Sequence, residues 1–335
     1  MDRGLYLFTL PSGKATGVSV PTLQLAHALK DQGRRVVFLC QKGKLARAAR
    51  EMGLEVYPFS LPSLAKWGRR AEAIVTSRSH DHFWALLLRR GKTPVFRLWY
   101  KPLPPKGYFW DLFLVPFSER FLAPFTFGMG WERRWSWLPG GVDTNLFRPG
   151  DKMGGGMGVA MVARMKPGRG QEELLEALAG LEAPVEVTFL GGGETLEGME
   201  SLARELGVDA RCCFIKGKVE DYPSFLRRYH LLVYLSLGSE STARTVLEAM
   251  ASGLVVLAVA QGGVFYYLGE WNPPIAVEEL VGELFRYSWS PRFRRMVGLL
   301  NARRAVRFSL EARVRRFVGA LGDASDTSDH IPEAL

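Results

Sequence analysis

Cysteine is scarce in this chain. Its three cysteines, Cys40, Cys212 and Cys213, are odd in number, two are adjacent, and none has C-x-x-C spacing. Neither a disulfide framework nor a zinc site is therefore indicated. Long apolar runs are also missing: none approaches the roughly 18 residues that a membrane span needs. The opening MDRGLYLFTLPSG holds too short an apolar stretch for a secretory signal and reads as a first buried strand, so a cytoplasmic location is expected. The first loop, Pro11 to Gly17, has no G-x-G-x-x-G, and the glycine triplet Gly191-Gly192-Gly193 lacks the G-K-[ST] that would cradle ATP. No E-x-x-H or D-x-D segment suggests a metal.

What is present is ordinary globular composition, 47% hydrophobic and 23% charged, with enough length for about two domains. Charge is uneven. Of a net +10, residues 1–150 hold 23 Lys/Arg against 10 Asp/Glu, while the remainder holds 21 against 24. Such a basic first half would attract an anionic lipid surface, a nucleic acid or a phosphorylated acceptor, against the plainer reading of a solvated arginine-rich surface.

The most informative stretch is 231–263. An apolar run from Leu231 to Leu237 reads as a buried strand, Gly238 and Ser239 break it, and helical spacing follows from Thr242 to Ser252 before a second strand, Leu254 to Ala260. Strand, loop, helix and strand make the unit of a parallel sheet, whose ligands gather beyond the carboxyl ends of the strands. Glu240 lies in the loop and Glu248 inside the helix, close enough for both to border one pocket. Free N–H groups at Ala243, Arg244 and Thr245, together with the Arg244 side chain, favour an anion at the helix start. Two carboxylates beside an anion site call for hydroxyls, and a pyrophosphate flanked by sugar hydroxyls is a nucleotide sugar.

Glu240-x7-Glu248, the following AMASG and the pair Gly262-Gly263 resemble the signature of retaining glycosyltransferases of the GT-B fold, family 4. Leu138-Pro-Gly-Gly-Val-Asp143-Thr-Asn-Leu-Phe147-Arg-Pro149 resembles that family's P-N-G-V-D-x-x-x-F-x-P, with Gly140 in place of asparagine. The resemblance covers nearly the whole chain and is strongest over 138–263. It implies an α/β protein of two Rossmann-like domains facing each other across a cleft, with a C-terminal helix crossing back to the first. The expected bounds are 1–150 for an acceptor-side domain, 151–305 for a donor domain, 306–322 for the crossing helix and 323–335 for a disordered tail. Glycine-rich Asp151 to Gly158 reads as the linker.

The resemblance also implies roles. Glu240 would contact the transferred sugar, Glu248 the ribose, and the N–H groups of Arg244 and Thr245 the distal phosphate. Arg164 and Arg169, matching the family's arginine and lysine, would hold the pyrophosphate and stabilise charge on the leaving nucleotide, with Lys166 a spare cation. Gly191 belongs to the glycine-rich turn, and Val219 ends Gly217-Lys218-Val219, which with Cys212 to Ile215 resembles the family's F-x-G-x-V, whose backbone meets the base. Thr16 and Gly17 belong to the first loop, which would hold phosphate or acceptor. Arg78 stands where a strict register places the family's histidine, which makes His80 the first candidate for the reacting centre and His82 the second.

Two departures concern the donor side. Ala243 stands where relatives have glycine and is tolerable there if its φ is negative. The usual glutamate after Gly263 is also missing. The dense aromatics from Trp99 to Trp137, interleaved with basic residues, suit core packing or an interfacial or acceptor groove.

The expected activity is metal-independent transfer from a UDP-, GDP- or ADP-sugar, with no further cofactor, to an acceptor such as a cell-envelope lipid or glycan. Peripheral contact with the inner membrane face through the basic half is expected, and nucleic acid binding is not. The rivals are an epimerase or phosphorylase of the same fold, a non-catalytic nucleotide-sugar binder and a basic nucleic-acid-binding protein.

Overall fold

The structure is a computed structural model that describes residues 4–14, 19–98, 120–123, 135–152, 154, 156–236, 243–261 and 263–322. Two compact units make up the chain: 1–140 with 310–335, and 141–309.

The first unit is a seven-stranded parallel sheet of order β3-β2-β1-β4-β5-β6-β7. Its strands are β1 (Leu5–Leu10), β2 (Arg35–Cys40), β3 (Glu55–Pro58), β4 (Ala71–Thr76), β5 (Val95–Leu98), β6 (Arg120–Ala123) and β7 (Trp135–Trp137). Strand β1 is buried along its whole length because the sheet is covered on both faces, which is why its sequence is a continuous apolar run rather than an alternation. The helices are α1 (Ser19–Asp31), α2 (Lys44–Glu51), α3 (Leu61–Gly68) and α4 (Ser79–Leu88). Helix α3 has no strong periodicity to announce it. Ser60 starts it by accepting the Ser63 N–H at 3.2 Å, and Pro62 in the first turn forfeits only an N–H that the helix leaves unpaired anyway. Strands β6 and β7 lie inside the aromatic stretch assigned above to core or interface, while Asp111–Ser118, an apolar run that the sequence also suggests as a strand, falls outside the described residues.

The second unit holds a five-stranded parallel sheet of order β10-β9-β8-β11-β12. Its strands are β8 (Met157–Val162), β9 (Val185–Leu190), β10 (Cys212–Ile215), β11 (Leu231–Tyr234) and β12 (Val255–Ala258). Helices α5 (Gln171–Ala179), α6 (Leu196–Glu205), α7 (Tyr222–Arg227), α8 (Arg244–Ala251), α9 (Val264–Tyr267), α10 (Leu280–Trp289) and α11 (Pro291–Ala305) connect and cover them. Val159, Val187, Phe189, Leu231 and Leu257 form the centre of its core with Leu174 and Leu178 of α5.

Helix α12 (Leu310–Gly322) returns to the first unit. Phe317 packs on Phe8 and Phe96 with ring centroids 6.1 and 6.4 Å apart, and buried Arg313 donates through Nη1 to the Pro21 carbonyl at 3.2 Å.

The division at 140/141 precedes the 150/151 boundary expected from the sequence. Phe147 packs against Tyr222 at 5.9 Å, Lys152 Nζ donates to the Ser252 carbonyl at 3.0 Å, and the Val142 N–H bonds the Phe308 carbonyl at 2.9 Å. The segment 142–152 is thus fastened to the second unit, and the expected linker Asp151–Gly158 lies within that unit.

Candidate active site

In the second sheet the chain order turns around at β8. Strands β9 and β10 build outward on one side of it, and β11 and β12 on the other. At such a switch point the loops after the two central strands diverge and leave a crevice at the carboxyl ends. The loop after β8 carries Arg164 and Arg169, and α8, which follows β11, carries Arg244 and Glu248.

The loop after β8 is held against the end of β11. Gly170 has φ 84°, and a Cβ there would come 2.3 Å from the Cβ of Leu235, so only glycine fits. Next to it Arg169 Nη1 donates to Ser236 Oγ at 2.5 Å, a bond that spans the switch point. Buried Gln171 donates to the Arg164 carbonyl at 3.2 Å, fixing the backbone from which the exposed Arg164 side chain projects. Lys166, Arg169 and Thr195 line one depression beside this loop.

Gly191 follows β9 and touches the same loop from the other side. A Cβ on it would lie 1.9 Å from the Ala163 carbonyl oxygen. Its N–H bonds the Ile215 carbonyl and its own carbonyl accepts from the Gly217 N–H, at 3.0 and 3.2 Å. The ends of β8, β9 and β10 are thereby drawn together. Val219, half-buried, sits two residues beyond Gly217.

Helix α8 brings the remaining groups. Ala243 caps it with φ 35° and ψ 47°, and is the non-glycine residue with positive φ among those described. The condition under which alanine would fit easily, a negative φ, is not met: the left-handed residue leads into α8, and alanine adopts it at a cost of about 1–2 kcal/mol. The N–H groups of Arg244 and Thr245 lie in the first turn, ahead of the helix's own hydrogen-bond ladder.

One turn further, Glu248 is only 6% exposed. Its Oε1 pairs with Arg244 Nε at 3.0 Å, and its Oε2 has no hydrogen-bond partner among the described residues. Burial pushes the carboxyl up to about 7, while Arg244 pulls it down. Tyr222, the first residue of α7, faces this carboxylate without reaching hydrogen-bond geometry, and its hydroxyl is raised well above the usual phenol range by burial and then by Glu248. Neither Tyr222 nor Ser236 was singled out from the sequence. They lie 26 and 67 positions from the residues they serve, and only folding reveals such a contact.

The first unit has its own switch point, between β1 and β4. Asp81, fully buried, accepts from the Thr9 hydroxyl at 2.5 Å and from the N–H groups of Ser77 and Arg78 at 3.2 and 2.8 Å. Arg97 Nη1 stands 3.8 Å from it. Burial raises the Asp81 carboxyl, and Arg97 then opposes the shift. His82 is buried beside this network. The Thr76 hydroxyl donates to the Phe96 carbonyl at 3.1 Å, so it accepts at 2.6 Å from His82 Nδ1–H, leaving a neutral ring with its pKa well below the ordinary value through burial and the charge of Arg97. His80, the first candidate, is exposed, and its Nε2 accepts from Trp84 Nε1 at 3.2 Å.

Glu240, Thr16 and Gly17 fall outside the described residues. Among the described residues no group of three or more His, Cys, Asp or Glu is placed to hold a metal ion, and no helix is long and apolar enough to cross a membrane.

Comparison with known proteins bears on the second unit and on the fold. Residues 145–280 match the family model for glycosyl transferases group 1. D-inositol 3-phosphate glycosyltransferase of Segniliparus rotundus is 31% identical over 170 residues, 46% of this chain and 36% of that protein. The protein of the same name from Mycobacterium leprae is 29% identical over 222 residues, 57% of this chain and 50% of that one. The match thus spans half or less of the length of these curated relatives. Among solved structures, HepE from Anabaena in complex with UDP and glucose superposes with TM-score 0.78 at 16% identity, covering 95% of this chain and 99% of its own. The chain therefore has two parallel-sheet, Rossmann-like domains of the GT-B fold, and the similarity to glycosyl transferases group 1 lies in its second unit.

Proposed function

We propose that this protein is a glycosyltransferase that moves a sugar from a nucleotide diphosphate sugar to an acceptor, with retention at the transferred carbon and without a metal ion. The observation that carries the reading is Glu248, a buried carboxylate at the head of α8 with one oxygen held by Arg244 and the other unpartnered. A ribose hydroxyl satisfies such an oxygen, and a buried acceptor left unmade costs about 1–3 kcal/mol.

The first-turn N–H groups of Arg244 and Thr245 then face the distal phosphate, and Arg164 and Arg169 take up negative charge as the bond to the leaving nucleotide breaks. Arg169 suits this role because its hydrogen bond to Ser236 leaves its fork oriented before substrate arrives. Glu240 is assigned to hydroxyls of the transferred sugar, and Val219 and Gly191 to the backbone wall around the base. His80 or His82 is assigned to the reacting centre, and Thr16 and Gly17 to the acceptor or phosphate loop. UDP is the first nucleotide to try, since a structure of similar fold holds it. An acceptor bearing a phosphorylated polyol, a cell-envelope lipid or a glycan completes the reaction, with peripheral contact at the inner membrane face.

The test measures melting temperature with saturating UDP, GDP, ADP or NAD, with and without EDTA, on wild type and on Glu248→Ala. Ligand at about 100 times its Kd adds roughly 2.7 kcal/mol. A shift with one nucleotide, insensitive to EDTA and lost in the variant, supports the donor site, and no shift with any sinks it. Retention is read from the anomeric coupling of the product by NMR. Interconversion of free nucleotide sugars without acceptor would favour an epimerase instead.

A further inference from the structure

We propose that the outward face of α11, together with the aromatic end of α10, docks the second unit on an anionic lipid bilayer. Helix α11, PRFRRMVGLLNARRA, carries five arginines and no acid. Packing fixes which of them point outward. A Cβ on Gly298 would come 2.2 Å from the Gly253 carbonyl oxygen, so the helix lies flat against the turn between α8 and β12. Asn301 donates to the Leu254 carbonyl at 2.9 Å and to Asn272 Oδ1 at 2.7 Å. Arg294 and Arg304 face inward, donating to the carbonyls of Tyr287 and Tyr267 at 2.8 and 2.6 Å.

With that side held, Arg292, Arg295, Met296, Leu299 and Arg303 all fall on the solvent side. At 3.6 residues per turn they occupy an arc of about 100°. Among the described residues Arg292, Arg295 and Arg303 have no ion-pair partner within salt-bridge distance.

Large aromatics stand where α10 leads into this stripe. Trp289, 68% exposed, ends α10 beside Phe285, 50% exposed, with ring centroids 5.9 Å apart.

Arginines interleaved with exposed apolar residues on one helix face, flanked by tryptophan, match the layering of a bilayer surface. Phosphates meet the guanidinium groups, indole rings lie at headgroup depth, and Met296 and Leu299 reach the acyl boundary. A nucleic acid would take the arginines but leave Met296, Leu299 and Phe285 in water. A second copy related by a two-fold axis would set the same arginines against one another.

Helix α2 of the basic first unit fits less well. It exposes Lys44, Arg47 and Arg50 but buries Leu45, Ala46 and Ala49, so it offers charge with no apolar partner on the same face. This proposal does not depend on the donor-site reading.

The test is co-sedimentation of the full chain with vesicles of phosphatidylcholine alone or mixed with phosphatidylglycerol, at low and high salt. Wild type is expected to pellet with the anionic vesicles and to release as salt rises. Arg292→Glu, Arg295→Glu and Arg303→Glu together should lower the partition coefficient by more than about 100-fold, and Phe285→Ser with Trp289→Ser by about tenfold or more. Melting temperatures show that the variants fold. Unchanged binding in the arginine variant overturns the proposal, as does equal binding to neutral vesicles. Loss of binding in Lys44→Glu, Arg47→Glu and Arg50→Glu but not in the α11 variant overturns it by moving the contact to the first unit. Self-association in sedimentation velocity, abolished by the α11 substitutions and accompanied by no vesicle binding, overturns it in favour of a second copy.

Discussion

Arg244 Nε stands 3.0 Å from Glu248 Oε1, one helical turn away, and this ion pair is the partner the structure shows for a carboxylate otherwise shut off from water. Burial outweighs the pair, since the carboxyl is held at about 7 against an ordinary value near 4.5. Because the native pKa exceeds the unfolded one, the folded state binds more protons between those values. Stability therefore falls as pH rises from about 4.5 through 7.

Glu248→Gln removes that titration. Calorimetry across the window should show the variant's melting temperature climbing relative to wild type as pH rises. A difference that stays constant with pH would sink the assignment.

Ala243→Gly should stabilise the protein. The left-handed backbone at φ 35° costs alanine about 1–2 kcal/mol, and glycine's greater freedom in the unfolded chain takes back roughly 0.5–1 kcal/mol. Urea unfolding should report a gain of up to about 1 kcal/mol, and a loss would mean that the buried methyl contributes more packing than the turn costs in strain.

Two glycine substitutions should act in opposite directions. Gly191→Ala forces a Cβ to within 1.9 Å of the Ala163 carbonyl, where backbone must move, and should cost about 3 kcal/mol or more. Gly198→Ala, exposed within α6 with nothing near its Cβ, should stabilise by roughly 0.5–1 kcal/mol. Equal effects from the pair would contradict the close approach of the loops after β8 and β9.

His230 should shape the acid limb. Its Nδ1 accepts from the Gly158 N–H at 3.1 Å, and burial, helped by Arg294 and Lys152, holds the ring at about 4 against 6.5. With the native pKa below the unfolded one, its contribution is complete above about 6.5 and is lost as pH falls through 4. His230→Asn keeps an acceptor for Gly158, so the fall in melting temperature between those limits should become shallower. An unchanged slope would place the acid sensitivity elsewhere.

The alternation of strand and helix was readable because each of its signals is local. Apolar runs such as 36–40 and Leu231–Tyr234 are buried on both faces of a parallel sheet and so stay apolar throughout. The segment 120–137 was not readable as strands, because its aromatic density hides any two-residue period. Helix α3 escaped as well, being eight residues started by a capping serine rather than by an apolar stripe. At the candidate site, the spacing of Arg244 and Glu248 is legible because a helix places residues four apart on one face. The lack of water around Glu248 is not, since it follows from which strands flank α8.

Sequence by itself determined the parallel architecture, the basic first half and the positions of the candidate acids and arginines, because apolar runs, charge and short motifs act over a few residues. Tertiary structure decided the rest. Arg169 meets Ser236 across 67 positions, Tyr222 faces Glu248 across 26, and α11 turns two arginines inward while leaving three outside. Each depends on the order in which strands assemble and on how closely one backbone can approach another, and neither is written in any single segment.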